Sequence, residues 1–130
     1  MKIKHLNQDC GSSCGPASLK MIMTSLNYQD DLSIQDIFNI SPTRIGGTPW
    51  YRMCNIIEKL NIKHKILHNI NINYFKDKDI NKKWMLSVYY SDVIKHWIVL
   101  DYWDSNTNKF IINYPANDRI SIAGSELKKI

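Results

Sequence analysis

An α+β domain, helical in its N-terminal half and built on an antiparallel sheet in its C-terminal half, is the fold class this sequence predicts. Three observations carry that reading. Apolar residues recur every three or four positions between 16 and 60, the period of a helix buried along one face. The texture changes after Leu60, and from Trp84 onward the chain offers "WMLSVYY", "HWIVLDYW" and "KFIINY", runs dense in aromatic and branched residues. Helices first and strands later is the order of segregated layers. At 130 residues, positions 1–130 form a single domain long enough to bury a core.

The elements follow in order. Residues 1–9 form a short extended lead. Behind "CGP", Leu19, Ile22, Met23 and Leu26 mark a first helix, and Pro16 is tolerated because the first turn has no amide partner to lose. "DDLSIQDIFNI" suggests a second short helix capped by Ser33 with Asp36 three residues on, and "SPTRIGG" breaks it. Thr48 as N-cap and Pro49 as first helical residue open a third helix, with Met53, Ile56, Ile57 and Leu60 on its apolar stripe. "KHKILHNININY" alternates apolar and polar residues, which favours a strand or extended segment. "FKDKDINKK" is charged and suits a surface loop or short helix. The turn cluster "DSNTNK" then joins two of the three expected strands.

Composition narrows the function. The net charge of +5 comes from general lysine richness, with no basic run or basic–aromatic stripe, so nucleic-acid binding is not indicated. No window approaches the ~18 apolar residues of a membrane span. "MKIKHLNQD" lacks the apolar core of a secretory signal. Three cysteines, Cys10, Cys14 and Cys54, are too few and too odd in number for a disulfide framework; free thiols in a reducing, cytoplasmic setting fit better.

A nucleophilic cysteine needs a thiol activated by position, an adjacent base and donors for an oxyanion. Helix N-termini favour thiolate through their unpaired amides and dipole, and Cys14, directly before "GPASLKMI", stands at one. Cys10 lies in the preceding loop and Cys54 on a helix, where packing accounts for it. Ser12 and Ser13 sit in no nucleophile elbow. Gln8, six residues before Cys14, can swing its amide back beside the thiol to serve the oxyanion together with the Cys14 backbone N–H; losing one such donor typically costs about 10²–10³ in turnover. Of the four histidines, His5 belongs to the lead and His64 and His68 to the lysine-rich segment. His96 opens the most apolar strand, where a polar residue needs a reason, and is the candidate base. The candidates to orient its imidazole are Asn113 and, further on, Asp118. Trp97 could shield a His96–Asn113 hydrogen bond from water. Zinc on the four-apart pairs His64/His68 or Cys10/Cys14 is disfavoured, because a strand-like alternation around the histidines spoils helical pair geometry.

The order "Q-x5-C-G-P-A-S", then "GGTPWYRMCNIIEKLNI", "HWIVL" and "IINYPA" resembles the papain-like cysteine peptidases that process bacteriocin and peptide-pheromone precursors. That resemblance covers nearly the whole chain. It implies a papain-like fold, with Gln8 as oxyanion residue, Cys14 as nucleophile, His96 as base, a peptide or leader substrate and no cofactor; in that family the domain usually sits on an exporter, its expected partner, whereas no membrane helices or nucleotide-binding cassette follow here, so a stand-alone relative is expected. The family typically carries an aspartate directly before the proline of the last motif; this chain has Tyr114, which leaves Asn113 as the expected partner of His96. The alternatives are an acyltransferase or deamidase on the same scaffold, or a domain that binds leader peptides without cutting them.

Overall fold

A computed structural model describes residues 3–7, 13–29, 31–42, 48–68, 70–76, 83–89, 95–115 and 119–122. Three helices, α1 (Cys14–Ser25), α2 (Ile34–Ile40) and α3 (Trp50–Lys59), precede a 3-10 turn (Ile72–Phe75) and the strands β1 (Trp84–Tyr89), β2 (Lys95–Asp104), β3 (Lys109–Asn113) and β4 (Arg119–Ile122). The strands form one antiparallel sheet in sequence order, β1-β2-β3-β4.

Local chemistry explains the helix ends. Ser33 and Asp36 make the expected capping box on α2: the Ser33 hydroxyl accepts from the Asp36 amide at 3.0 Å and the Asp36 carboxylate accepts from the Ser33 amide at 2.9 Å. α1 and α3 both close on an asparagine in the left-handed region, Asn27 (φ 54°) and Asn61 (φ 57°). Each closure is a Schellman motif. Tyr28 N–H donates to Met23 and Asn27 N–H to Thr24; Ile62 N–H donates to Ile57 and Asn61 N–H to Glu58. The two ends are joined, since the Tyr28 hydroxyl (2.5 Å) and the Gln29 side-chain amide (3.1 Å) both donate to the Leu60 carbonyl.

α3 begins one residue later than expected. Pro49, with ψ 159°, is the N-cap and Trp50 the first helical residue. Thr48 stays outside the helix, where its carbonyl has another partner, described below. The alternating segment after Leu60 makes no strand: residues 62–68 are irregular, and positions 63–66 are exposed. Alternation alone does not hold a strand without a ladder partner, and the Asn71 side chain instead accepts from the Asn73 amide to start the 3-10 turn. Residues 77–82 of the charged segment lie outside the described residues.

The sheet is covered on both faces. One face, built by Leu86, Val88, Ile98, Leu100, Phe110 and Ile112, packs on Ile72 and Phe75 of the 3-10 turn. On the other, Val99 packs with Met21 and Ile22 of α1, while Trp97 and Met85 join the cluster of Leu19, Met23, Ile37, Met53 and Ile56 that binds the helices together. The β2–β3 hairpin turns at 105–108, with Asn106 N–H on the Asp104 carboxylate at 3.0 Å and Asn108 left-handed at φ 59°. β4, absent from the sequence-based expectation, is a four-residue strand whose Ile120 and Ile122 pair with Ile112 and Phe110. Its short alternation was the available signal.

Replacing Tyr28 by Phe removes one of two donors at the Leu60 carbonyl. The expected cost is about 1 kcal/mol, read as a lower urea midpoint with an unchanged m-value.

Candidate active site

Cys14 is the first residue of α1 and is 4% exposed. Ser13 caps the helix with its backbone only, its carbonyl accepting from Ala17 N–H at 2.9 Å. The first turn contains no acidic residue to compete for its free amides. The helix start is pressed against β2, and Gly15 permits the approach: a Cβ at that position would stand 2.7 Å from Met53 Cε and 3.1 Å from both Thr48 Cβ and Trp97 Cδ1. Trp97 locks the junction by donating its indole N–H to the Thr48 carbonyl at 2.5 Å, which ties β2 to the entry of α3.

The consequence is that the Cys14 thiol meets the backbone of Trp97, one residue from His96. The backbone N–H groups of Trp97, Gly15 and Cys14 itself reach the sulfur and draw its pKa down, but burial acts more strongly and raises it above the ordinary thiol value. Burial also holds the His96 imidazole below its ordinary value. Position at a helix start therefore does not by itself make the sulfur anionic here. Both shifts favour the uncharged forms, thiol and neutral imidazole.

The strand register decides what lies beside His96. β1 and β2 pair without interruption from Tyr89↔Lys95 to Trp84↔Leu100, so His96, Ile98 and Leu100 share one face and Trp97 and Val99 the other. Asn113 pairs with Val99. It therefore lies on the face opposite His96, fully buried, with its side-chain amide directed at the Ile3 carbonyl at 3.5 Å. The expectation that Asn113 orients His96 is corrected accordingly. Tyr114 stands there instead, its ring centroid 5.3 Å from that of His96 and the planes 32° apart.

A bulge produces this choice. From the turn, Asp104↔Lys109 and Trp103↔Phe110 set a register that, continued, would pair Asn113 with Leu100 on the His96 face. The register shifts between Leu100 and Tyr102, leaving Asp101 over, and Asn113 moves to Val99. Asp101 is used in its own right: its carboxylate accepts from the Ile3 amide at 2.9 Å. Ile3 is thus held on its N–H by β2 and on its carbonyl by β3.

Trp97 does not shield His96, because it lies on the opposite face. The other histidines are placed elsewhere: His5 bonds Asn7 at 2.8 Å, His64 the Ile62 carbonyl at 2.9 Å, and His68 stands edge-on to Trp50 at 5.5 Å. Cys54, part-buried on α3, has its pKa raised by burial and by Glu58. Among the described residues no three His, Cys, Asp or Glu side chains gather as metal ligands. Gln8, Cys10, Ser12 and Asp118 lie outside the described residues. Sequence reasoning missed the Trp97 backbone, Tyr114 and Asp101; the first has no side-chain signature, and the other two depend on the bulge.

A thiol on a helix start, set against the strand that carries an imidazole, defines an α+β protein with the frame of a cysteine peptidase. The match to known proteins makes this specific: residues 2–130 fit the model of the Peptidase C39 family, and the chain belongs to that family. Among solved structures it is similar to the peptidase domain of Streptococcus ComA, a bifunctional ABC transporter involved in a quorum-sensing pathway. The TM-score is 0.82 at 19% identity, over 96% of this chain and 89% of that one. Among curated proteins, none matches the chain.

Two measurements check the site. Alkylation of Cys14 by iodoacetamide, followed by peptide mapping so that each cysteine is counted separately, should rise with pH through the alkaline range without a plateau near pH 6. Gly15→Ala gains helix propensity of about 1 kcal/mol but overpacks the junction by about 1–3 kcal/mol; a lower melting temperature and slower Cys14 alkylation are expected.

Proposed function

We propose that the protein is a cysteine peptidase that cuts a peptide or leader sequence through an acyl-enzyme. The observation that carries this reading is the contact of the Cys14 thiol with the backbone of Trp97, the residue that follows His96. Membership of the Peptidase C39 family supports it. In this mechanism His96 takes the thiol proton as Cys14 Sγ attacks the scissile carbonyl. The Cys14 backbone N–H and the Gln8 side-chain amide hold the oxyanion. The imidazolium then protonates the leaving amine, and water, activated by the neutral imidazole, releases the acyl group. No step needs a cofactor.

The substrate is a peptide or protein segment, and the likeness to an exporter's peptidase domain supports a partner of that kind and a cytoplasmic site of action. Among the described residues no helix is long and apolar enough to cross a membrane.

Intact-mass analysis with a peptide vinyl sulfone tests the nucleophile, its base and the surrounding cleft together. One equivalent should add at Cys14, none in Cys14→Ala, and adduct formation should slow by about 10²-fold or more in His96→Ala. Because the His96 pKa is lowered, the imidazole stays neutral to a lower pH than usual, so the acid limb of the rate profile should fall below the ordinary histidine value of about 6.5. Addition at another cysteine, or none with folded protein, would overturn the assignment.

A further inference from the structure

The contact of Gly15 with Trp97 holds one part of α1 against β2, and the lead segment holds a second. We infer that Asp101, acting through Ile3, is a positioning residue for the Cys14–His96 pair: it fastens the lead as a strap across the seam between α1 and β2. The catalytic consequence rests on the peptidase reading above; the strap is defined by its own contacts.

The Asp101 carboxylate accepts from the Ile3 amide at 2.9 Å, and the Asn113 side-chain amide is directed at the Ile3 carbonyl at 3.5 Å, so two strands hold one residue of the lead. The Ile3 side chain is 1% exposed and packs on Met21 and Ile22 of α1 and Val99 of β2, with Leu6 joining the same cluster. Val99 follows Trp97 on one face of β2, and Ile22 lies about two turns beyond Gly15 on α1. The helix therefore meets the strand twice, at Gly15 against Trp97 and again through Ile3. A helix held at one point can still tilt. Leu19, in the cluster that binds the helices together, lies about 7.5 Å along the axis from Cys14, so a tilt of about 8° there moves the sulfur end by about 1 Å. A misplacement of that size at a reacting atom can cost about 10²-fold in rate. The second contact removes that freedom, and the bulge supplies its anchor: the irregularity that displaces Asn113 also leaves over the carboxylate that receives Ile3.

Substitutions at both ends of the strap test this. Asp101→Ala removes the acceptor and Asp101→Asn keeps an acceptor oxygen of the same reach; Ile3→Ala removes the wedge and leaves Asp101 in place. The Ile3 amide should exchange with deuterated solvent at least about tenfold more slowly in wild type than in Asp101→Ala. In both alanine variants the first-order rate of vinyl sulfone addition at saturating probe should fall about tenfold, with half-saturation little changed. Cys14 alkylation by iodoacetamide should instead rise about threefold as the seam loosens. Asn should stay within about threefold of wild type in vinyl sulfone addition. Because the two alanine changes act on one strap, their double variant should be no more than about twofold slower than the slower single one. A lower melting temperature with both rates unchanged in folded variants overturns the proposal. So does an Ile3 amide that exchanges as fast in wild type as in Asp101→Ala, or an Asn variant as slow as Ala. Where one alanine variant fails to fold, the other decides the comparison. Alkylation and exchange are read without turnover, so a wild-type protein left unlabelled by vinyl sulfone while both respond as expected overturns the peptidase reading and leaves the strap standing.

Discussion

The close approach of the α1 start to β2 is the constraint on which the rest of the site depends. A glycine hydrogen at position 15 admits the Trp97 indole, the Thr48 side chain and Met53 to the helix at once, and the indole N–H then fastens the strand to the entry of α3. Three elements from distant parts of the chain meet around one sulfur. The electrostatic outcome follows from that packing. Excluding water from Cys14 costs the thiolate more than nearby amides return, so the packing that seats the thiol against the Trp97 backbone raises its pKa.

The sheet register also selects which residue lies beside His96. One unpaired residue, Asp101, decides whether position 113 or 114 shares a face with His96. The displaced Asn113 is not idle. Fully buried, it faces the lead segment, as Asp101 does, and together they hold both polar groups of Ile3. Buried backbone polar groups left without partners are costly, so this double attachment fixes where the lead runs across the helical face of the sheet.

Much of this was legible in the residues. The capping box at Ser33 and Asp36 is a local pattern with a local outcome. The alternation of Trp97, Ile98, Val99 and Leu100 is satisfied by burial on both sheet faces, and Cys14 stands where proline and glycine announce a helix start. The failures share a different cause. "KHKILHNININY" has the period of a strand but, among the described residues, no neighbour to pair with, and a ladder is not a local property. Asn113 was favoured by residue type alone, whereas its orientation depends on a register shift twelve residues before it in the chain. Tyr114 was recognised as a departure from a family pattern; that its ring would lie on His96 required the pairing of β2 with β3. The rise in the Cys14 pKa was equally hidden, since helix position is written in sequence and water exclusion by a distant strand is not.

The grip on Ile3 also has a bearing on how the molecule is made. Its amide is received by a residue 98 positions downstream and its carbonyl by one 110 positions downstream. A chain emerging from the ribosome can wind α1, α2 and α3 early, because their contacts are near in sequence, but the lead cannot be seated until β3 has left the tunnel. Ile3 is therefore synthesised before the strands that hold it and acquires its final neighbours late.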